Sequence, residues 1–468
     1  MKTILKKTIS IFVIVSLLAS FSVISLAYSD GVDYTIINPY ETVNWDNYKP
    51  YKGNLHCHTL VSDGRTDFAE MIEEHYALGY DYLSITDHGV ISYSWTELNT
   101  VPYMTVPGKK EVGDIFFKPT PLTEERFEEI TTPGTDGKTM IMIPNGIELN
   151  PTSFNNAHVN AWFGTYGNGV MGGTSDYETA IRGAEEGGAI SVINHPGEYT
   201  EARHEDDPEL AYNEDYDYQV NKFTNLLLKY NSCIGIDVNS KGDGRTKNDR
   251  KLWDRLLQNC IPNGRNVFAI ASSDAHSISA TDTGWTISML PELTADNVRE
   301  SLVLGTFFAG SRCLKNTKEL AQISTAIGYD LGTEWKAESY IIQPKVTEII
   351  VNEAADTITI EADNALVIRW IADGELIAEG KTIDLDDYSY AIGSYVRAEI
   401  FGEGGILYTQ PFMLEYDGAP EKELDFFYDF GNLVALLRDS ILGALELLPG
   451  FSIFWTLLTG NESQVAVK

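Results

Sequence analysis

Basic residues are scarce in this sequence. Its 468 residues include 34 Lys and Arg against 68 Asp and Glu, which gives a formal net charge of -34 at pH 7. Nucleic-acid binding depends on neutralising phosphates with Lys and Arg, so no nucleic-acid partner is expected. The acidity is expected to favour solubility and the retention of metal cations.

Cysteine is also scarce. The four cysteines, Cys57, Cys233, Cys260 and Cys313, show no spacing typical of a zinc site, and no disulfide framework can be read from them. A thiolate metal site is therefore not expected. Any metal ions would have to be held by histidine and carboxylate side chains.

Long apolar runs occur only near the two ends of the chain. Lys2, Lys6 and Lys7 precede an apolar run over residues 11–26, and small residues follow it. This pattern predicts a signal peptide over residues 1–29 and a secreted or cell-surface protein, with an uncleaved membrane anchor as the alternative.

The apolar C-terminal segment, residues 424–458, is predicted to be helical. Pro449 and Gly450 interrupt its longest uncharged run, which is shorter than the roughly 20 residues that a membrane-spanning helix needs. The segment could bind a membrane surface, promote self-association or dock onto the preceding domain.

Between these ends, short apolar strands alternate with amphipathic helices from residue 54 to about residue 310. This order predicts an α/β fold with a largely parallel sheet, either open or closed into a barrel. One helix is predicted to start at Thr66-Asp67, to bury Phe68, Met71, Ile72 and His75, and to end at Gly79. Beyond residue 80, strands are predicted over residues 82–86, 140–149, 157–163, 189–193, 234–238, 267–271 and 286–290.

Histidines and carboxylates follow these strands, and in such folds functional residues gather at the carboxyl ends of strands. His56 and His58 are two residues apart at the end of an early strand and therefore share a face. Imidazole and carboxylate ligands suit zinc, manganese or iron, and their number exceeds what one ion can use, so two or three divalent metal ions are predicted. The candidate ligands are His56, His58, Asp63, His88, Glu148, His158, His195, Asp274 and His276. His75 and His204 are expected to be structural or solvated.

The order of these motifs carries a family resemblance. The motifs are His56-x-His58-Thr59, Ser62-Asp63-Gly64, Thr86-Asp87-His88, Gly146-Ile147-Glu148, His195 and Asp274-Ala275-His276. Over residues 52–312 they resemble the polymerase-and-histidinol-phosphatase (PHP) metallohydrolases. The resemblance implies a distorted seven-stranded β/α barrel.

The resemblance also implies how the ligands are shared among metals. Asp63 stands where some family members carry histidine, which leaves the identity of the second metal open. Asp87 is expected to orient a neighbour rather than bind a metal. The implied ligand sets are His56, His58, Glu148 and Asp274 for the first metal, Asp63, His88 and His276 for the second, and Glu148, His158 and His195 for the third, with Glu148 bridging.

Metals in such a cluster acidify a bridging water towards hydroxide and neutralise charge on the attacked oxygen. The sequence therefore predicts a metal-dependent hydrolase, favoured as a phosphoesterase, acting on a small-molecule or oligomeric ester. Catalytic roles are predicted for Asp274, His276 and Glu148, and for Arg312, which could grip a phosphate or carboxylate or form only a salt bridge. A carboxyl-ester or carbamate hydrolase is the alternative chemistry, and a non-catalytic surface binding protein stabilised by metals is the alternative class.

The predicted domain boundaries follow changes in pattern. The hydrolase domain spans residues 30–314, and its insertion at 93–136 could be a specificity loop or a surface decoration. A linker at 315–338 leads to short strands separated by turn residues, which predict a small accessory β-sandwich over residues 339–416.

Overall fold

The computed structural model describes residues 31–99, 119–135, 137–149, 157–168, 177–199 and 214–423. The predicted signal peptide and C-terminal apolar tail, His204 and residues 100–118 of the insertion lie outside the described residues. In the described part of the chain, none of the helices has the length and apolar character needed to cross a membrane.

The described residues form a mixed α/β fold with several sheets. The helices are α1 (Phe68–Ala77), α2 (Glu124–Thr131), α3 (Tyr177–Glu186), α4 (Glu214–Lys229), α5 (Asp249–Cys260), α6 (Ala295–Leu304) and α7 (Thr317–Ile327). The strands are β1 (Thr35–Ile37), β2 (Lys49–Asn54), β3 (Tyr82–Leu83), β4 (Ile141–Met142), β5 (Ile147–Leu149), β6 (Val159–Trp162), β7 (Ile190–Ile193), β8 (Cys233–Asn239), β9 (Phe268–Ala271), β10 (Gly284–Leu290), β11 (Phe307–Ser311), β12 (Cys313–Leu314), β13 (Trp335–Lys336), β14 (Lys345–Asn352), β15 (Thr357–Asp363), β16 (Val367–Ala372), β17 (Glu375–Glu379), β18 (Thr382–Asp384), β19 (Tyr395–Gly402), β20 (Gly405–Tyr408) and β21 (Phe412–Glu415).

The predicted first helix is confirmed as α1. The Asp67 side chain accepts a hydrogen bond from the Phe68 backbone N–H, which caps the helix, and all four predicted core residues are buried. Gly79, at φ 77°, follows the helix end in a conformation that favours glycine.

Two sheets surround the candidate site. In one, β2, β3 and β4 are parallel, while β10 pairs antiparallel with β2 and β11. In the other, β7, β8 and β9 are parallel, while β5, β6 and β7 are antiparallel. The isolated bridges Cys57–Ala275 and His88–Glu148 link the two sheets. The single closed seven-stranded barrel is therefore not confirmed, because the pairing between the sheets is limited to isolated bridges.

The predicted strand over residues 140–149 is broken into β4 and β5. Asn145, between them, has φ 59°, a conformation that ends an extended strand. At Gly146 a Cβ atom would lie 2.5 Å from the Ile85 carbonyl oxygen, so this close approach needs glycine. The break transfers the chain from the first sheet to the second, and Glu148 enters the site from the second sheet.

The C-terminal region continues the first sheet. Strand β20 pairs with β11, β19 pairs with β20 and β21, and β21 pairs with the N-terminal β1. The three-stranded sheet β14–β15–β18 packs against this sheet through a shared buried core that includes Ile349, Ile358 and Trp370. The predicted accessory β-sandwich is thus not confirmed, because two of its strands, β20 and β21, pair with β11 and β1 of the predicted hydrolase domain. The predicted linker over residues 315–338 contains α7 and β13.

Candidate metal centre

The first histidine pair lies where the chain leaves β2. The His58 N–H donates to the Ala275 carbonyl over 2.9 Å, and the Asp274 N–H donates to the His56 carbonyl over 3.0 Å. This backbone pairing sets Asp274 beside both imidazoles. Oδ1 of Asp274 lies 3.3 Å from Nε2 of His56 and 3.1 Å from Nε2 of His58.

Glu148 is at the centre of the cluster. Its side chain is 1% exposed, and its two oxygens contact five imidazoles. Burial alone would raise the pKa of Glu148, but the nearby His158, His88 and His56 hold it well below its usual value. Oε2 lies 3.5 Å from His56, 3.2 Å from His58 and 3.0 Å from His88, while Oε1 lies 2.9 Å from His158 and 3.4 Å from His195.

Asp63 and His276 form the more open side of the cluster. Oδ2 of Asp63 lies 3.2 Å from Nε2 of His276 and 3.5 Å from Nε2 of His88. The Asp63 and His276 side chains are 27% and 34% exposed, in contrast to the fully buried His58. Asp63 and His276 are the two most exposed of the nine predicted ligands.

Asp87 organises the turn that carries two of the ligands. Its Oδ1 accepts hydrogen bonds from the Thr59 N–H at 2.8 Å and the Ser62 hydroxyl at 2.5 Å, and its Oδ2 accepts one from the Thr59 hydroxyl at 2.7 Å. The turn between Thr59 and Ser62 joins His58 to Asp63. The prediction that Asp87 orients its neighbours agrees with these contacts.

The structure brings all nine predicted ligands together. Their potential ligand atoms form four groups, and within each group these atoms lie within 4.8 Å of one another. The groups are His58, Asp63, His88 and His276; His56, His58 and Asp274; His56, Glu148 and His195; and His88, Glu148 and His158.

This donor set fits divalent transition metals, because each group combines imidazole nitrogen with carboxylate oxygen. Four residues occur in two groups each: Glu148, His56, His58 and His88. The bridging role of Glu148 therefore stays a prediction. His58 is grouped with Asp63 as well as with His56 and Asp274, whereas the family resemblance implied that His58 binds the first metal alone.

Arg312 does not join the cluster, and its contacts fit the salt-bridge alternative and not the predicted role in gripping the substrate. Its Nε donates to Asp282 over 2.7 Å, and its remaining nitrogens donate to backbone carbonyls of Glu338, Ser339, Ile341 and Gly404. The guanidinium is buried at the junction with the C-terminal strands. The Arg312 guanidinium, which was expected to bind substrate, instead connects Asp282 to backbone carbonyls of the C-terminal region.

A cationic side chain that the sequence did not reveal lies beside the cluster. Nζ of Lys241 is 2.9 Å from Oδ2 of Asp274 and 2.6 Å from Oε2 of Glu198. Arg245 also contacts Glu198. Lys241 lies two residues after the end of β8, so the rule that placed the ligands near strand ends could have identified it.

Glu198 links this cation to a predicted ligand. Its Oε2 lies 3.4 Å from Nδ1 of His195, on the side of the ring away from Glu148. A carboxylate in this position can fix the ring orientation of a metal-binding histidine. Burial alone would raise the pKa of Glu198, but the charges of Lys241 and His195 lower it well below its usual value.

Several site residues have left-handed backbone conformations. The φ angle is 25° at His195, 49° at Lys241 and 45° at Asp274. Such conformations are costly for residues other than glycine and tend to occur at functional sites. Their concentration here indicates a surrounding structure that fixes these side chains in place.

Comparison with known proteins gave matches among solved structures alone. No family model and no curated protein matches the chain. Its structural neighbours include PHP-like metal-dependent phosphoesterases. A two-domain Bacteroides vulgatus protein containing a predicted PHP-like metal-dependent phosphoesterase is 18% identical, with 79% of this chain and 88% of that chain covered and a TM-score of 0.37.

Two further neighbours are more distant. A lesion-specific endonuclease from Pyrococcus furiosus is 12% identical over 55% of this chain and 56% of its own, with a TM-score of 0.31. An amidohydrolase from Chromobacterium violaceum, solved with sulfate and no metal, is 14% identical over 48% of this chain and 87% of its own, with a TM-score of 0.28. At these levels of similarity the neighbours do not identify a substrate.

Proposed function

We propose that this protein is a metal-dependent phosphoesterase. The nine converging imidazole and carboxylate ligands support a metal-dependent hydrolase. Divalent metal ions bound there would supply an acidified water as nucleophile and neutralise charge on the attacked oxygen. The preference for a phosphate ester over a carboxyl ester rests on one observation, the position of Lys241.

Lys241 gives the site a positive charge that an anionic substrate needs. Its Nζ lies 2.9 Å from a carboxylate oxygen of Asp274, at the edge of the cluster, and its side chain is 22% exposed. A phosphomonoester carries up to two negative charges, and a preformed cation at the site stabilises them without reorganisation. A neutral carboxyl ester or carbamate would gain no comparable stabilisation.

The side chains then have distinct tasks. Glu148 occurs in two ligand groups and would hold metal ions of both, while Asp274 would hold a metal ion and contacts Lys241 through Oδ2. Lys241 orients the phosphoryl group, and Asp63 and His276 line the open side through which the ester enters. Glu198 keeps His195 and Lys241 in place.

The test compares two esters with the same aryl leaving group on the protein reconstituted separately with zinc, manganese and iron. We expect the aryl phosphate to be hydrolysed faster than the aryl carboxyl ester, with competitive inhibition by inorganic phosphate. Glu148→Gln is the matched inactive control for contaminating hydrolases. Faster carboxyl-ester hydrolysis without competition by phosphate would replace this proposal with the carboxyl-ester or carbamate alternative.

A further inference from the structure

The loop that carries Lys241 has an unusual backbone. Lys241, Gly242 and Asp243 have consecutive positive φ angles of 49°, 61° and 58°. A left-handed conformation is costly for residues other than glycine and persists only where surrounding contacts impose it. Two such residues therefore need a strong local restraint.

That restraint is a buried ion pair between Asp243 and Arg250. Nη1 of Arg250 donates to Oδ1 of Asp243 over 2.9 Å, and Nη2 donates to Oδ2 over 3.0 Å. The Lys315 backbone N–H donates to the same Oδ2 over 2.7 Å. Both side chains are at most 1% exposed, so this two-point contact is not weakened by water.

Arg250 connects the loop to the C-terminal region. Its Nη1 also donates to the Val238 carbonyl in β8 over 3.0 Å, and its Nε donates to Glu319 of α7 over 2.9 Å. The guanidinium lies over the ring of Tyr408 in β20, 5.8 Å from the ring centroid. One arginine thus joins the strand before the loop, the loop itself and two elements that follow the predicted hydrolase domain.

We infer that Asp243 and Arg250 are positioning residues that fix Lys241 at the metal centre for binding an anionic substrate. The pair imposes the left-handed backbone at residues 241–243, and that backbone directs Nζ of Lys241 towards Asp274 and Glu198. The inference deepens the proposed function and rests on it. It also implies that α7 and β20 support the catalytic unit and do not belong to a separate accessory module.

A second buried ion pair provides the matched control. Arg397 contacts Asp254 through Nε and Nη2, both at 2.8 Å, and joins β19 to α5. It resembles the Asp243–Arg250 pair in burial, in its two-point geometry and in joining the C-terminal strands to α5. Its hydrogen bonds do not reach the Lys241 loop, so losing it should affect stability alone.

The experiment uses the full metal-loaded chain and three single variants, Asp243→Asn, Asp254→Asn and Lys241→Met. We expect Asp243→Asn to raise KM for the aryl phosphate and Ki for inorganic phosphate by roughly tenfold, the effect of losing one charge-assisted contact. Metal content by elemental analysis should stay unchanged. Asp254→Asn should lower the melting temperature but leave KM and Ki unchanged.

A double variant decides whether Asp243 acts through Lys241. If it does, Lys241→Met/Asp243→Asn should bind phosphate no more weakly than Lys241→Met, because the positioned group is already absent. Additive losses, or an equal loss of affinity in Asp254→Asn, would overturn the inference. If Asp243→Asn does not fold, Arg250→Lys replaces it, since lysine keeps the charge and loses the two-point geometry.

The positioning role of Asp243 can be tested even if the protein is not a phosphoesterase. If the wild-type protein hydrolyses no phosphate ester, calorimetric titration of the metal-loaded protein with inorganic phosphate still measures anion binding at Lys241. Weaker binding in Asp243→Asn, with unchanged binding in Asp254→Asn, would support the positioning role without phosphoesterase activity. Equal binding by all three proteins would contradict it.

Discussion

Nζ of Lys241 lies 2.9 Å from Oδ2 of Asp274, in direct contact with a predicted metal ligand. Burial alone would lower the pKa of Lys241, but the charges of Asp274 and Glu198 raise it well above its usual value. The lysine is therefore protonated at neutral pH. In a chain with a net charge of -34, the proposed role in binding an anionic ester therefore depends on this lysine, whose Nζ also contacts Glu198.

Lys241→Met should weaken the hydrolysis of a phosphate ester. Losing one charge-assisted contact of about 1.5–3 kcal/mol should lower kcat/KM by roughly ten- to a hundredfold. The ratio of hydrolysis rates for the aryl phosphate and the matched aryl carboxyl ester measures the effect, with metal content as the control. An unchanged ratio would show that Lys241 does not recognise the phosphoryl group.

Replacing Glu148 should release more metal than replacing Asp63. Glu148 contacts five imidazoles and is 1% exposed, whereas Asp63 contacts three and lies on the more open side. Elemental analysis after dialysis should therefore show a larger loss of zinc or manganese in Glu148→Ala than in Asp63→Ala. Equal losses would argue against a carboxylate shared between metals.

Arg312 should contribute to stability and not to substrate binding. Arg312→Met removes a buried cation and leaves several backbone carbonyls without their donor, which should lower the free energy of unfolding by about 3–5 kcal/mol. Urea unfolding measures this loss. KM for the aryl phosphate, measured below the unfolding transition, should remain at the wild-type value. A rise of roughly tenfold, as expected for Asp243→Asn, would show that Arg312 contributes to substrate binding.

The ligands could be predicted from sequence because their positions follow a simple rule. Each lies at or near a strand end, and strand ends on one edge of a sheet come together whatever the details of the fold. Lys241 lies two residues after the end of β8, but its orientation depends on the left-handed backbone and on the Asp243–Arg250 pair. Neither the backbone conformation nor the ion pair can be recognised from the residue pattern.

The domain boundaries were harder to predict for a similar reason. The strand pattern after residue 339 indicates short antiparallel strands, and these are present. Some of their partners are not local, since Ala309 of β11 pairs with Tyr408 of β20 and Ile36 of β1 pairs with Leu414 of β21. Pairing between such distant segments depends on tertiary packing, so the pattern alone suggested a separate module.

His75 links helix α1 to the metal centre through Asn54. Its Nδ1 lies 2.8 Å from the Met71 carbonyl, which can only accept, so Nδ1 carries the proton and Nε2 accepts from the Asn54 amide at 2.8 Å. Oδ1 of Asn54 then accepts from the backbone N–H groups of His56 and Ser273. Protonation of Nε2 would turn it into a hydrogen-bond donor, which would then face the amide N–H donor of Asn54.

The pKa of His75 therefore predicts a pH dependence of stability. Burial, with a smaller contribution from the charge of Lys52, lowers the pKa of His75 to about 4 from 6.5. Because the unfolded chain binds the proton more tightly, the stabilisation is present above pH 6.5 and is lost as the pH falls from 6.5 to 4. Its full size is about 3 kcal/mol at 1.36 kcal/mol per pKa unit.

Urea unfolding of the metal-free protein at pH 7 and pH 5, with chelator present, measures this dependence without interference from metal loss. His75→Gln is the test variant, because glutamine can accept from Asn54 and does not titrate. We expect the wild-type protein to lose more stability than His75→Gln between these two pH values, by about 2 kcal/mol, since pH 5 lies about 1.5 units below the unfolded-state pKa. If both proteins lose the same amount, His75 is not the group that titrates, and other buried side chains must account for the change.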